Sequence, residues 1–364
     1  METYMNSMCS QVRVRVPATS ANLGSGFDTV GLALDYHDEL TFTLNPDPTD
    51  GIAHVFIHGE GEDTLPRDET HLVVSTFRRA CATFGLGRIG FTLEATNNIP
   101  QARGMGSSAE AIVAGIAAAA AFAQPGELNR PAIFDMAAQI EGHPDNVAPA
   151  VFGGLTVSWD FATAEGVGSV AIPGGEPLHG GFHTVNYPVD PAITAAVFVP
   201  DYELSTEKAR QALPKEVPHK DAVYNVSRVG LLPAAMNPVV LAQAEAQGGA
   251  DALGGNSAGA AQVTPAAFAT AAAQANALLF TATQDRLHQP YRTPLMPPSA
   301  ELIETFRAKG YAAAVSGAGP CVLVLHYGNT REAIDQVAAT QLASGHWRVL
   351  HLPINTKGVE IERR

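Results

Sequence analysis

A short stretch rich in glycine and serine, placed directly before a long apolar run, constrains this chain more than any other feature. The stretch is Pro100–Glu110, and the run Ser108–Phe122 is built mainly of alanine, isoleucine and valine. Gly104 and Gly106 let the backbone turn sharply and approach a ligand closely. The two serines that follow are of a residue type that caps helices. The pattern therefore predicts a tight loop that leads into the N-terminus of a helix.

Such a helix start is a suitable place for an anion. Several unpaired N–H groups and the positive end of the helix dipole point at one place, and this arrangement binds phosphate. Arg103 adds a positive charge, and a serine hydroxyl can be a ligand of Mg²⁺ in nucleotide sites. Glu110 suits the dipole but repels phosphate, so we expect its side chain to point away. Taken alone, the segment also fits a Gly-Ser helix cap without a ligand.

The order of the predicted elements favours α+β layers over a doubly wound parallel sheet, because helices and strands alternate without a strict βαβ rhythm. A chain of 364 residues exceeds what one core usually serves, so two domains are expected. The Gly/Pro-rich stretch Ile172–Pro188 is the predicted boundary and gives domains 1–180 and 181–364. Small and polar residues dominate Gln247–Ala273, which is predicted to be a flexible surface insertion in the second domain.

Local patterns predict most of the secondary structure. Strands are expected at Val12–Val16, Leu40–Leu44, Ala53–His58, Phe91–Ala95, Gly154–Trp159, Thr194–Val199, Tyr311–Val315, Cys321–His326 and Arg348–Pro353. Helices are expected at His71–Phe84, Ser108–Phe122, Pro131–Glu141, Ser205–Leu213, Asp221–Met236, Ala300–Lys309 and Arg331–Gln341. Loops or turns are expected at Pro17–Asp28, Gly142–Asn146 and Gly317–Pro320.

Composition argues against several kinds of partner. The net charge of −14 predicts repulsion from nucleic acid and from anionic membranes. The run Ala114–Ala123 is too short to cross a bilayer, and the polar N-terminus lacks the apolar core of a signal peptide. Cys9, Cys81 and Cys321 form no CxxC pair, and the twelve histidines show no metal-ligand spacing. A cytoplasmic protein is therefore expected.

Six segments together resemble the GHMP kinases, and specifically the homoserine kinases. Three of them are similar to the motifs of the superfamily: a first motif, a nucleotide phosphate loop and a C-terminal glycine turn, at Pro17–Asp28, Pro100–Glu110 and Ser316–Pro320. The other three resemble homoserine kinases alone: Glu141–Asn146 (EGHPDN), Leu204–Arg210 (LSTEKAR) and Asp285–Arg292 (DRLHQPYR). The resemblance implies two α+β domains with the active site in the cleft between them. It also implies ATP and Mg²⁺ as ligands.

The reaction that the resemblance implies is transfer of the γ-phosphate of ATP to L-homoserine, which gives O-phospho-L-homoserine on the route to threonine. Three positions depart from the family pattern. Ser25 stands where proline is usual, Met105 replaces a common leucine, and Glu110 replaces a common alanine at the end of the phosphate loop. A homodimer is common in the family and is expected here from the resemblance alone.

The resemblance assigns two pairs of residues to the amino-acid substrate. Arg210 and Arg292 match the positions that hold its carboxylate, a task that suits the planar fork of a guanidinium. Asp28 and Asn22 match the substrate residues of the first motif, where oxygen atoms can accept hydrogen bonds from an ammonium. Isolated arginines also serve as solvated surface charges, and Asp and Asn also shape loops.

The resemblance assigns the nucleotide and its metal ion to two other segments. The predicted nucleotide-binding residues are the whole phosphate loop: Pro100, Gln101, Ala102, Arg103, Gly104, Met105, Gly106, Ser107, Ser108, Ala109 and Glu110. Ser107 and Glu141 supply the hard oxygen ligands that Mg²⁺ prefers. Glu141 also fits a solvated carboxylate at a helix end.

The loop after the third predicted helix supplies the remaining catalytic candidates, His143, Asp145 and Asn146, which join Arg210. His143 lines the substrate side in the family, and its ordinary pKa suits a general base. However, Asn146 stands where the mevalonate-like branch of the superfamily has a catalytic aspartate, and an amide cannot accept a proton. The comparison therefore favours a mechanism without a dedicated base, in which Asp145 and Asn146 position groups.

Two other functions remain open at this point. One is a GHMP kinase for another small alcohol, such as threonine or mevalonate, since a misplaced methyl group gives only about 1–3 kcal/mol of discrimination. The other is a ligand-binding protein without activity, since a fold does not fix a function.

Overall fold

The computed structural model describes residues 9–47, 50–238 and 265–364. Its strands are β1 (Gln11–Ala21), β2 (Val30–Leu44), β3 (Ala53–Gly59), β4 (Phe91–Asn97), β5 (Leu155–Phe161), β6 (Ser169–Val170), β7 (Leu178–His179), β8 (Gly181–Tyr187), β9 (Ile193–Pro200), β10 (Ala312–Val315), β11 (Val322–Tyr327), β12 (Trp347–Pro353) and β13 (Glu360–Arg363). Within these ranges, no helix is both long enough and apolar enough to cross a membrane.

The helices lie mostly between and after these strands. They are α1 (Leu72–Thr83), α2 (Ser107–Ala123), α3 (Arg130–Glu141), α4 (Val147–Phe152), α5 (Thr206–Gln211), α6 (His219–Val229), α7 (Leu232–Ala235), α8 (Pro265–Ala282), α9 (Gln289–Arg292), α10 (Pro297–Ala308), α11 (Arg331–Val337) and α12 (Ala339–Ala343). A 3₁₀ turn, Thr293–Leu295, joins α9 to α10.

The larger sheet has seven strands. Five of them follow the order β13-β1-β2-β4-β3, and β5 pairs with the first residues of β2, Val30–Leu32, and with β8. All its pairings are antiparallel except that of β3 with β4. Helix α2 packs against α1, α3 and β1, where its small alanine side chains allow a close approach. The phosphate loop is therefore anchored to a helix in the core.

The smaller sheet has four antiparallel strands in the order β10-β11-β9-β12. One face carries a core that includes Phe198 and Phe306, whose ring centroids lie 5.1 Å apart. The other face packs with residues of α7 and α8, such as Leu232 and Leu279. The short turn between β10 and β11, which contains Gly317, is one wall of the site described below.

The prediction of a loop over Pro17–Asp28 is wrong for its first five residues. Pro17 to Ala21 continue β1 and pair with β2, after a shift in the register between Pro17 and Ala18. The real turn follows, and it contains positive φ angles at Asn22 (71°), Leu23 (45°) and Asp28 (56°). Small polar residues resemble a loop in sequence, but here they pair across a long hairpin.

Other differences concern where elements end. Predicted helix Asp221–Met236 is divided into α6 and α7 around Gly230, and Arg331–Gln341 is divided at Ala338. The strands β8 and β13 and the short helix α4 were not predicted. Of the predicted insertion, residues 247–264 lie outside the described residues, and the rest of it is helical as part of α8.

The predicted domain boundary at residue 180 falls just before β8. That strand pairs with β5 in the larger sheet, and β13 at the end of the chain pairs with β1 in the same sheet. We therefore propose a boundary between Tyr187 and Ile193, with β13 returned to the first domain.

Candidate active site

The carbonyl groups of the phosphate loop face the protein. Four successive ones, at distances of 2.6 to 3.1 Å, accept hydrogen bonds from other segments: those of Ala102, Arg103, Gly104 and Met105, from Leu204 N, Cys321 N, Ser316 Oγ and Thr19 N. The N–H groups of residues 103–108 make no hydrogen bond within the described part of the chain. The loop thus keeps a series of donors free at the start of α2, as an anion site requires.

A cavity of about 290 Å³ opens beside these donors. Its walls contain most of the predicted site residues: Asn22, Asp28, Ala102, Gly104, Gly106, Ser107, Ser108, Glu141, His143, Asp145, Asn146, Arg210 and Arg292. Ser205, Thr206, Gly317 and Ala318 complete the lining. The structure therefore brings segments that are far apart in the sequence to one place. A larger cavity of about 530 Å³, next to Asn97 and Asn98, contains none of the predicted residues.

Six residues of the phosphate loop do not line the cavity: Pro100, Gln101, Arg103, Met105, Ala109 and Glu110. Met105 and Ala109 are fully buried in the cores. Arg103 turns to the carbonyls of Pro200 and Gln101, each at 3.1 Å. The contact of these six residues with a nucleotide stays a prediction, and it would be made by their backbone rather than by side chains that line the cavity.

Glu110, the last residue of the predicted nucleotide-binding segment, has its side chain buried against Asp38 and does not line the cavity. This placement agrees with the expectation that it points away from phosphate. Burial, and then the charge of Asp38, raise the pKa of Glu110 well above its ordinary value.

Arg210 and Asp28 form a bidentate ion pair at the cavity. Nη1 and Nη2 of the arginine donate to the two carboxylate oxygens at 3.0 and 2.9 Å. About a third of each side chain is exposed, 36% for Arg210 and 34% for Asp28. The two groups predicted for opposite ends of an amino acid therefore lie together and are accessible.

Arg292 is buried without a carboxylate partner. Only 2% of the residue is exposed, and none of the ion pairs among the described residues includes it. Its donors reach only neutral acceptors, His288 Nδ1 at 3.2 Å, Gly317 O at 3.3 Å and Ala209 O at 3.4 Å. Burial lowers the pKa of this guanidinium. A buried charge of this kind is costly unless an anion joins it.

Asn22 joins the first motif to the third. Its Nδ2 donates to Gly317 O at 2.8 Å, and its Oδ1 accepts from the backbone N–H of Asp28 at 2.9 Å. Both ends of the amide are thus engaged with the backbone. Asn22 lines the cavity, but its predicted contact with the substrate stays a prediction.

Two oxygen-bearing residues, Ser107 and Glu141, line the cavity. Glu141 Oε2 accepts a hydrogen bond from Ser108 Oγ at 2.8 Å, and burial raises the pKa of the Glu141 carboxyl. No cluster of three or more histidine, cysteine or acidic side chains able to hold a metal occurs among the residues described. A metal ion here would need ligands from phosphate and water as well, which is typical of Mg²⁺.

The loop between α3 and α4 carries a hydrogen-bond chain. His143 Nδ1 lies 2.7 Å from Asp145 Oδ1, which also accepts from the Asn146 backbone N–H at 3.0 Å. Burial lowers the pKa of His143, but the hydrogen bond and charge of Asp145 outweigh it and raise that pKa above 6.5. Asn146 Oδ1 accepts from Thr19 Oγ1 at 2.8 Å. The amide of Asn146 is therefore held by the end of β1.

Two contacting residues were missed by the sequence analysis. Thr19 orients Asn146, and His288 accepts a hydrogen bond from Arg292 while its Nε2 faces Gly24 O at 2.8 Å. His288 stands four positions before Arg292 in the DRLHQPYR segment. Residues four apart on a helix share a face, and this spacing is the signal that could have found it.

Two family models match the chain. The model of the GHMP kinases N terminal domain matches residues 71–154, which contain the phosphate loop and the α3–α4 loop. The model of the GHMP kinases C terminal domain matches residues 265–341, which contain Arg292 and the Gly317 turn.

Similar proteins cover nearly the whole chain. A homoserine kinase from Clavibacter michiganensis subsp. michiganensis is 38% identical over 353 residues, 97% of this chain and 94% of that protein. One from Leifsonia xyli subsp. xyli is 40% identical over 97% of this chain and 92% of its own length. The crystal structure of a homoserine kinase from Cytophaga hutchinsonii superimposes with a TM-score of 0.72 at 23% identity, over 99% of this chain and all of the other, and shows the same fold. The chain belongs to the homoserine kinase family of the GHMP kinases.

Proposed function

We propose that this protein transfers the γ-phosphate of ATP to the side-chain hydroxyl of L-homoserine and releases O-phospho-L-homoserine, a step towards threonine. One observation carries the proposal. Free backbone donors for a phosphate chain and two guanidinium groups for a carboxylate line the same 290 Å³ cavity. A kinase that joins ATP to an amino acid needs these two sets of groups at the same place.

The amino acid is placed by charge. Its carboxylate goes to Arg292, a buried cation without a carboxylate partner, and Arg210 also lines the cavity. Its ammonium goes to Asp28. Asp28 then gives up one of its two hydrogen bonds with Arg210 and accepts one from the ammonium instead. The hydroxyl at the other end extends towards the phosphate loop. Bidentate charge-assisted hydrogen bonds of this kind favour one orientation of the ligand.

The phosphates are placed by the backbone at the start of α2. N–H groups of residues 103–108 and the helix dipole stabilise the negative charge that shifts during transfer. Ser107 and Glu141 are the residues that would hold Mg²⁺, since hydroxyl and carboxylate oxygens suit this ion. When bound, Mg²⁺ neutralises charge on the phosphate oxygens.

We further propose that no side chain serves as a dedicated base. His143 Nδ1 lies 2.7 Å from Asp145 Oδ1, and this contact raises the pKa of the imidazole, so we assign His143 to orientation of the reacting groups. Asn146 has only an amide in the wall of the cavity. The hydroxyl proton therefore leaves with a phosphate oxygen, while His143, Asp145 and Asn146 orient the reacting groups.

The location and the oligomeric state of the protein are predicted only. A cytoplasmic location is supported by Cys9, Cys81 and Cys321, which are all free thiols. A homodimer is expected from the resemblance alone.

The test is ADP release from ATP and Mg²⁺ in the presence of L-homoserine, L-threonine, mevalonate or no acceptor. We expect release above the background with homoserine. Activity with only threonine or mevalonate would replace the substrate but keep the kinase. Absence of activity with every acceptor, together with tight ATP binding, would favour a ligand-binding protein.

A further inference from the structure

A pair of carboxyl groups is buried directly behind the phosphate loop. Asp38 lies on β2 and is 3% exposed, and Glu110 lies in the first turn of α2 and is 4% exposed. The two side chains are within hydrogen-bonding distance of each other. Neither lines the cavity, and the reaction proposed above uses neither of them.

The pair joins the two ends of the loop. Asp38 Oδ1 accepts hydrogen bonds from the backbone N–H groups of Asn98 and Ile99 at 2.6 and 2.8 Å, just where the chain enters the loop. Glu110 is the last residue of the loop, and its N–H donates to Gly106 O at 2.9 Å. A contact between Asp38 and Glu110 therefore closes a bridge from the entrance of the loop to its exit.

The contact requires a proton. Two adjacent buried carboxyl groups cannot both be ionised without strong repulsion. Asp38 is the better anion because it accepts two backbone hydrogen bonds, so Glu110 holds the proton and donates it to Asp38. One oxygen of Glu110, Oε1, accepts no hydrogen bond from any described residue, so nothing there stabilises a charged Glu110.

The charged surroundings support this assignment. Burial raises the pKa of Asp38 to about 6, and burial together with Asp38 raises that of Glu110 well above 4.5. Among the neighbouring charges, Glu60 also raises the pKa of Asp38. Arg348 forms an ion pair with Glu60 at 2.7 Å. Burial raises the pKa of Tyr36, and the charges of Glu60 and Asp38 raise it further. No described cation forms an ion pair with either member of the pair.

We propose that Asp38 and Glu110 are positioning residues for the nucleotide, and that their shared proton holds the phosphate loop in its binding conformation. Loss of that proton separates the two carboxylates and moves the ends of the loop apart. ATP affinity then falls as the pH rises. The inference rests on the proposed function, because it takes the phosphate loop to be the ATP site.

The variants distinguish hydrogen bonding from charge. Glu110→Gln keeps a donor for Asp38 but cannot ionise, and Glu110→Ala removes the donor. Asp38→Asn keeps an acceptor for the two backbone N–H groups and relieves the repulsion, so it serves as a second route if the alanine variant does not fold. Glu94→Gln is the matched control, because it makes the same change on an exposed side chain of β4.

The measurement is ATP affinity by calorimetry between about pH 6 and pH 9, with KM for ATP and for homoserine alongside. We expect affinity to fall with pH in the unchanged protein and in Glu94→Gln, and to be flat in Glu110→Gln and Asp38→Asn. Glu110→Ala should bind ATP about tenfold more weakly, as expected for one lost hydrogen bond to a charged group. KM for homoserine should change less than about twofold in the Gln variant.

The outcomes separate this inference from the function. If Glu110→Gln keeps the pH profile of the unchanged protein, or if a folded Glu110→Ala binds ATP equally well, the positioning role is wrong and the kinase stands. If the unchanged protein binds no ATP at any pH, the proposed function fails and the inference fails with it.

Discussion

Arg210 and Asp28 bind each other through two hydrogen bonds of 2.9 and 3.0 Å, although the proposed substrate has a separate use for each. The ion pair keeps both charges compensated before an amino acid arrives. An incoming zwitterion can replace this ion pair by two, with its carboxylate held by Arg292 and Arg210 and its ammonium held by Asp28. The pair therefore favours ligands that carry both charges over those with a carboxylate alone.

This relationship gives a prediction for Asp28→Asn. The unchanged protein should prefer homoserine to 4-hydroxybutyrate, which lacks the ammonium, by about 10- to 100-fold in kcat/KM, the value of a charge-assisted hydrogen bond. The variant should lose most of that preference, mainly because its kcat/KM for homoserine falls. Steady-state kinetics with both acceptors checks it. An unchanged preference would place the ammonium elsewhere.

Arg292→Ala should act on the amino acid and not on the nucleotide. The buried guanidinium has only neutral acceptors, so its loss should raise KM for homoserine about 10- to 100-fold and KM for ATP much less. Arg286→Ala is the matched control, since Arg286 lies in the same segment but is half exposed and pairs with Asp221 at 3.2 Å. Equal effects of the two substitutions on homoserine KM would remove Arg292 from the site.

A pair of glycine substitutions separates steric blocking from backbone strain. Gly106 and Gly85 have φ angles of 75° and 76°, so an alanine is similarly strained at both. A Cβ at Gly106 would lie only 1.9 Å from Thr19 Oγ1, whereas at Gly85 nothing lies within 4 Å. Gly106→Ala should therefore abolish ATP binding in calorimetry, and Gly85→Ala should leave it intact. Normal ATP affinity of Gly106→Ala would contradict the role given to the loop.

The sequence was informative where a local pattern and a motif coincided. The core helix after the phosphate loop is predictable from its run of small apolar residues, and its observed bounds, Ser107–Ala123, differ by one residue at each end. Arg210 and Arg292 both line the cavity. They could be predicted as site residues because both stand in segments that resemble homoserine kinases. The bounds of the helix and the choice of the two arginines can both be predicted without knowledge of long-range packing.

Features that depend on partners distant in the chain were not predictable. The strand β13 has only four residues, and its pairing with β1 joins positions about 350 residues apart. The side chain of Glu110 could be expected to avoid phosphate, but its partner Asp38 lies 72 positions earlier and on a different element. Only the folded chain shows that this departure from the family pattern has its own partner.

His143→Gln tests whether the reaction has a dedicated base. Loss of a general base costs about 10²- to 10⁴-fold in rate, whereas loss of an orienting group costs less. With the proton passing to phosphate, we expect kcat to fall less than about tenfold, because glutamine can still bond to Asp145. Single-turnover rates at saturating substrate check the chemical step. A loss of a thousandfold or more would return His143 to the role of base.

The Asp38–Glu110 pair also predicts how stability depends on pH. The pKa of Glu110 is raised in the folded protein above its ordinary value of 4.5, because burial and then Asp38 disfavour its charge. Its contribution to stability is therefore complete below 4.5 and is lost as the pH rises through the folded pKa. Glu110→Gln should remove this part of the decline, so its melting temperature should gain most over the unchanged protein at alkaline pH. Thermal melts of both proteins across the pH range test this, with Glu94→Gln as the control. A constant difference in melting temperature at every pH would show that Glu110 is not the protonated partner.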